Sequence, residues 1–152
     1  MKNRFIILGL LVMTACGKDD EGDNVDYTSQ NEQEIQAYLS SNNIIAQNSS
    51  TGLYYTIEAV GVGSQPNSNN NVTVAYKGYY TSGTVFDESD TNGISFNLQQ
   101  VIKGWTEGIP YFREGGQGKL FVPAHLGYGS SDRNGIPGGS VLIFDIHLIS
   151  IN

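Results

Sequence analysis

Apolar residues along this chain follow three different spacings, and each predicts a different kind of structure. Phe5 to Met13 (FIILGLLVM) is an unbroken apolar run, preceded by Lys2 and Arg4. Polar residues then dominate to about Ser50, relieved by one narrow stripe. Ile35, Tyr38 and Leu39 fall at i, i+3 and i+4, which predicts a short helix over Glu32 to Ser41 that ends near Asn42-Asn43. Ser29 followed by Glu32 has the spacing of a capping box at its start. From Gly52 onward the period becomes two.

Leu53 to Val60 reads as a strand, and Asn71 to Tyr80 as a second. In the second, Val72, Val74, Tyr76 and Gly78 share one face while Thr73 and Lys77 face the other way. Thr81 to Thr84 is a turn, and Val85-Phe86-Asp87 resumes as extended chain. Ile94 to Leu98 alternates again. Val101 to Ile109 predicts a short helix stopped at Pro110. Lys119 to Pro123 is a strand, and Ala124 to Gly139 is a long irregular segment. The last strand puts Leu142, Phe144, Ile146 and Leu148 on one face and Ile143, Asp145 and His147 on the other. Strands joined by hairpin-like turns, with one short helix among them, predict an α+β class: a strongly twisted antiparallel sheet wrapped around that helix. A signal peptide and a short N-terminal helix come before it.

The length of 152 residues allows one ordinary domain plus an appendage. Three segments follow: a signal peptide over 1–15, an acidic tether and short helix over 16–50, and the domain over 51–152. The net charge of −7 is unevenly spread. Seven of the fifteen acids precede Ile35, leaving eight acids against five bases beyond it. An acidic chain without a basic stripe gives no motive for binding nucleic acid.

The apolar run is too short for a bilayer core of ~30 Å, which needs about 20 residues, and fits a secretory signal. Met13-Thr14-Ala15-Cys16 resembles the lipobox of bacterial lipoproteins, with Met13 where Leu is usual. That resemblance implies cleavage before Cys16 and its lipidation; the other reading is a buried free thiol. Acyl chains contribute ~0.8 kcal/mol per buried CH₂ and would hold the protein on a membrane. With one Cys, no intramolecular disulfide exists. The following Gly17 to Asp23 run (GKDDEGD) is either a solvated tether or a sorting signal for the outer face of the outer membrane.

Ordinary enzyme chemistry finds no footing. His125 and His147 are the two histidines, and no His/Cys/carboxylate cluster has metal-ligand spacing. No Ser sits in a G-x-S-x-G elbow, and Gly118-Lys119 lacks the rest of a phosphate loop. Asp87 and Glu88 are adjacent, so in a strand they point to opposite faces. No cofactor is called for. What stands out instead is the single tryptophan, in Val101-Ile102-Lys103-Gly104-Trp105-Thr106-Glu107-Gly108, with other aromatics recurring around it. A lone Trp is ordinarily core.

The same segments resemble a known family in order. Val74-Ala75-Tyr76-Lys77-Gly78, Phe86-Asp87, Phe96-Asn97-Leu98, Val101 to Gly108, Pro123 to Gly129 (PAHLGYG), Ile136-Pro137 and Leu142 to Asp145 are similar to the motifs of FKBP-type peptidyl-prolyl cis-trans isomerases. The resemblance runs from about Gly52 to Asn152. It implies an FKBP-like fold and a pocket for a prolyl ring, with Trp105 as floor. Tyr76, Phe86, Val101, Ile102 and Phe144 would form walls, Tyr128 and Ile136 would come from the long loop, and Asp87 would be the polar group at the edge. The Ile102 backbone N–H and the Tyr128 hydroxyl would hold substrate carbonyls. Phe96 and Leu98 read as plain core, and Asp87 also reads as a turn cap.

The implied activity is rotation of X-Pro bonds in exported polypeptides, by a lipid-anchored protein of the cell envelope, with macrolides as possible inhibitors. Rotation about a peptide bond must overcome ~18–20 kcal/mol of resonance, and a dry apolar pocket favours the twisted amide without a nucleophile, base or metal. Two other readings stay open: a proline-peptide-binding or chaperone module without turnover, and a surface interaction lipoprotein whose Tyr54, Tyr55, Tyr79 and Tyr80 meet glycans or host proteins. The pattern departs from the family in three places. The Asp87–Phe96 segment is short and offers Asn92 where an Arg often pairs with the Asp. Ile94 replaces an aromatic, and the Tyr128–Ile136 loop lacks a hydrophobic tip.

Overall fold

The computed structural model describes residues 25–152, so the apolar run, Cys16 and the Gly17–Asp23 run lie outside the described residues. Eleven elements follow in order: α1 (Thr28–Ser41), β1 (Gln47–Asn48), β2 (Tyr54–Ala59), β3 (Asn71–Tyr79), β4 (Val85–Glu88), β5 (Ile94–Asn97), α2 (Lys103–Gly108), a 3₁₀ turn (Ile109–Tyr111), β6 (Gln117–Val122), a second 3₁₀ turn (Ala124–Leu126) and β7 (Leu142–Ile151). The strands form one antiparallel sheet in the order β1-β2-β6-β7-β3-β4, with β5 also paired to β3.

The alternation read from the sequence divides the sheet's two faces. Val72, Val74, Leu120, Val122, Leu142, Phe144, Ile146 and Leu148 point to one side, where they pack with Leu53, Leu98, Trp105, Ile109 and Phe112 under α2. Their neighbours Tyr54, Phe121 and Ile143 point to the other side and pack with Ile35 and Leu39 of α1. The sheet therefore wraps α2, as expected. Its outer face is covered by α1, whose narrow stripe is what it buries.

Three details differ from expectation. The helix α1 begins at Thr28, one turn before Glu32. Asp26 Oδ1 accepts from the Thr28 N–H at 2.9 Å, and the Tyr27 carbonyl accepts from Asn31 at 2.8 Å, so the first turn closes upstream of Ser29. The capping box does not form; Glu32 instead takes the Tyr54 hydroxyl and the Gln36 amide. Second, α2 spans Lys103–Gly108, and Pro110 does not end the chain's coiling but sits in the first turn of a 3₁₀ segment. A proline there forfeits no hydrogen bond, because the opening N–H groups of a helix have no internal partner. Third, Gln47–Asn48 adds a short edge strand to β2.

Candidate active site

Irregularity in β4 makes the site. Gly78 of β3 lies opposite Asp87 while the next residue, Tyr79, lies opposite Val85, leaving Phe86 as the extra residue of a bulge. Bulges re-aim side chains, and here the Phe86 ring folds back over Gly78. A Cβ on Gly78 would sit 2.6 Å from Phe86 Cζ and 2.9 Å from Phe144 Cε1. Only a residue without a side chain lets both rings lie there.

Ile102 opens α2: its carbonyl accepts from Trp105 (2.9 Å) and Thr106 (3.2 Å), and its φ of −57° with ψ of 149° turns the chain into the helix. Gly104 brings the helix against Val122, where a Cβ would be 2.6 Å from Cγ1. That close approach seats Trp105 in the core, 4% exposed, and three rings meet it edge-on. Tyr76 lies at 5.1 Å and 86°, Phe96 at 5.2 Å and 78°, and Phe144 at 5.4 Å and 82°. Such edge-to-face pairs contribute about 0.5–1.5 kcal/mol each beyond area burial. The indole Nε1 is buried without a hydrogen-bond partner among the described residues.

These elements surround a cavity of about 730 Å³. Tyr76, Phe86, Asp87, Val101, Ile102, Trp105, Tyr128 and Phe144 all line it. Ile136 does not. It is buried in the same core cluster as Trp105 and Phe144, pinned by a two-way backbone bridge to Arg133 (3.0 and 2.9 Å). Asn134 and Gly135, both at positive φ, make the tight turn between them, as Asn-Gly pairs do in hairpins. Phe96, read from the sequence as plain core, reaches the cavity, and so do Gln100, Lys103, His125, Arg133 and Asn134. Strand alternation had the signal for Phe96, which shares a face with Ile94. Nothing local marks Arg133, because its place depends on how the long loop between Leu126 and Leu142 folds back.

Polar groups at the cavity are few and ordered. The Tyr76 hydroxyl donates to Asp87 Oδ2 at 2.7 Å. Asn92 is not among the residues lining the cavity, and its backbone N–H donates to Asp90 Oδ1 at 2.9 Å. His125 is fixed to the Thr51 carbonyl at 2.7 Å. Burial first, then the hydrogen bond to Asp87 for Tyr76 and the Asp87 charge for Tyr128, hold both phenols above the usual tyrosine range, so both are hydroxyl donors at any physiological pH. Neither the Tyr128 hydroxyl nor the Ile102 N–H is engaged within the described residues.

The architecture is a curled antiparallel sheet around a short helix, with a cavity lined by Trp105, Tyr76, Phe86, Phe96 and Phe144. The model of FKBP-type peptidyl-prolyl cis-trans isomerases matches residues 62–149. The chain belongs to that family. It is 47% identical over 105 residues to the FKBP-type peptidyl-prolyl cis-trans isomerase FkpA of Buchnera aphidicola subsp. Schizaphis graminum, covering 67% of this chain and 42% of that one. The crystal structure of FkpA from Escherichia coli superposes with a TM-score of 0.73 at 37% identity, covering 82% of this chain and 61% of that chain. A peptidyl-prolyl cis-trans isomerase from Pseudomonas syringae pv. tomato DC3000 gives 0.70 at 26%, covering 82% and 96%. The chain spans about two fifths of the length of the curated relatives it matches.

Proposed function

We propose that the domain catalyses cis-trans rotation of X-Pro bonds in polypeptides. The observation that carries this reading is the buried Trp105 floor ringed edge-on by Tyr76, Phe96 and Phe144. A prolyl ring is a flat apolar disc of suitable size for such a box. Its two flanking carbonyls need donors, and the Ile102 N–H and the Tyr128 hydroxyl stand at the cavity with none of their capacity used among the described residues. Burying the amide in apolar surroundings disfavours the planar, more dipolar ground state relative to the twisted transition state, and the two donors hold the chain on either side of the turning bond. The uncatalysed event takes tens to hundreds of seconds, so even modest differential binding matters to a folding chain.

The remaining parts of the proposal rest on the N-terminal sequence. Cys16 carries the lipid, the Gly17–Asp23 run is the tether, and the domain works in the cell envelope, at the outer membrane, on exported proteins. Macrolides that mimic a prolyl ring with flanking carbonyls would compete for the same cavity. A second reading, a proline-peptide-binding module without turnover, draws on the exposed Asp87, whose bond is to Tyr76 and not to a cation. Titrating a proline peptide while following isomerisation separates the two. Saturable binding with acceleration supports the enzyme, and saturable binding at the uncatalysed rate supports the module.

A further inference from the structure

The segment that carries Tyr128 is tied at both ends by one residue far upstream, 93 positions before Ala124 and 108 before Gly139. Asn31 of α1 is fully buried. Its Oδ1 accepts from the Ala124 N–H at 2.8 Å and its Nδ2 donates to the Gly139 carbonyl at 2.9 Å, so one amide grips both ends of the segment 124–139. The circuit closes through the backbone. Gly139 N–H donates to the Gly129 carbonyl at 2.9 Å, and Gly129 N–H donates to the Ala124 carbonyl at 2.8 Å. Asn31, Gly139, Gly129 and Ala124 thus form a ring of hydrogen bonds, and Tyr128 is the residue immediately before one of its corners. The Tyr27 ring covers the same corner of the helix, so close to Gly139 that a Cβ there would lie 2.5 Å from it.

We propose that Asn31 is a positioning residue that acts through Tyr128, fixing the distance between the Tyr128 hydroxyl and the Trp105 floor. The claim rests on reading the cavity as the prolyl site. Asparagine suits this place for a chemical reason: both partners are buried main-chain groups of opposite polarity, and its amide carries a donor and an acceptor on two separate atoms, one for each partner. Aspartate would set an oxygen against the Gly139 carbonyl. Alanine would leave an N–H and a C=O that no neighbouring side chain replaces. A fully satisfied buried network stiffens what it joins, and what it joins here is one wall of the cavity. Asn31, on a helix that reads in the sequence as a spacer or packing element, thereby acts on the site, while the rest of that helix packs on the outer face of the sheet.

The test uses the full chain with Asn31→Ala, Asn31→Ser, Tyr128→Phe, the Asn31→Ala/Tyr128→Phe double variant, and Leu39→Ala, which loosens the same helix at the Tyr54–Phe121 cluster and leaves the amide ring intact. Isomerisation of a proline peptide and amide hydrogen exchange at Gly129 and Gly139 are followed in each. A wall displaced by about 1 Å costs up to ~100-fold, so Asn31→Ala lowers kcat/KM by ~10- to 100-fold and speeds exchange at both glycines. Asn31→Ser, whose hydroxyl serves one partner, falls between it and the native chain. The double variant is no slower than Tyr128→Phe alone, because both changes remove one function. Leu39→Ala lowers the melting temperature and keeps kcat/KM. Native exchange at Gly129 and Gly139 in Asn31→Ala, or losses that add in full in the double variant, would overturn the proposal. If the native chain gives no acceleration, the isomerase reading fails on its own, and the exchange data alone decide whether the clamp exists.

Discussion

The Tyr76 hydroxyl donates to Asp87 Oδ2 at 2.7 Å across the β3–β4 pair, while the Tyr76 ring stands edge-on to Trp105 at 5.1 Å. One side chain therefore ties the polar rim of the cavity to its apolar floor. Tyr76→Phe separates the two roles, because it keeps the ring and removes the bond. A hydrogen bond to an exposed carboxylate is worth roughly 1 kcal/mol, so kcat/KM for a proline peptide should fall about three- to tenfold with little change in melting temperature. An unchanged kcat/KM would show that the orientation of Asp87 has no part in the reaction.

Gly78 offers a sharper probe of the pocket's shape. Gly78→Ala places a methyl group where the Phe86 and Phe144 rings now lie. Overpacking of this kind costs about 1–3 kcal/mol. The rings must shift towards the cavity, so affinity for proline peptides should drop about tenfold in a chain that still folds. Full affinity in the variant would mean the Phe86 bulge is not what shapes the site.

Much of this arrangement is legible in the sequence, and the parts that are not share a cause. Period-two spacing in Val72–Gly78 and Leu142–Leu148 is set by the strand itself, so both faces of the sheet could be read from it. Trp105 and its neighbours lie within one short motif. The Tyr76–Asp87 bond, the Phe86 bulge and the Asn31 ring each depend on the register between segments distant in sequence, which no local spacing encodes. Ile136 belonged to the family pattern yet is not among the residues lining the cavity; it lies in the core cluster that holds Trp105 and Phe144, and its place depends on how the long loop folds back. The Ser29–Glu32 spacing misled because the helix starts at Thr28, which puts Ser29 inside its first turn and leaves Glu32 to Tyr54 and Gln36.

On the outer face of the sheet, burial first and Asp145 second raise the Tyr79 phenol above the ordinary tyrosine range. Its hydroxyl donates to Asp145 Oδ1 at 2.9 Å, and Lys119 Nζ donates to the same oxygen at 2.5 Å. A folded value above the unfolded one, near 10, gives stability that is fully present below about pH 10 and is lost as pH rises towards the folded value. Tyr79→Phe should therefore melt below the native chain at pH 8, with a gap that narrows between about pH 10 and 12. A gap that widens over that range would contradict the assigned cause.

Charge at the cavity mouth should set a preference among substrates. Lys119–Asp145 is the one ion pair among the described residues; Lys103 and Arg133 are exposed at the cavity and, among those residues, pair with no carboxylate, Asp87 on the same lining included. Peptides with Glu beside the proline should react faster than those with Lys by a few-fold at low salt. The difference should shrink as the screening length falls from ~30 Å at 0.01 M to ~8 Å at physiological ionic strength. Equal rates at low salt would show that these cations do not reach the substrate.

The most direct measurement is the rate of X-Pro isomerisation in a short peptide, with the native chain and with Phe86→Ala, each shown to be folded by the near-ultraviolet signal of Trp105. The account predicts acceleration that is proportional to native protein, is saturable by proline peptide, and is lost by at least about tenfold when one wall of the pocket is removed. An isomerisation rate indistinguishable from that of the peptide alone, in the presence of folded native chain, would contradict it.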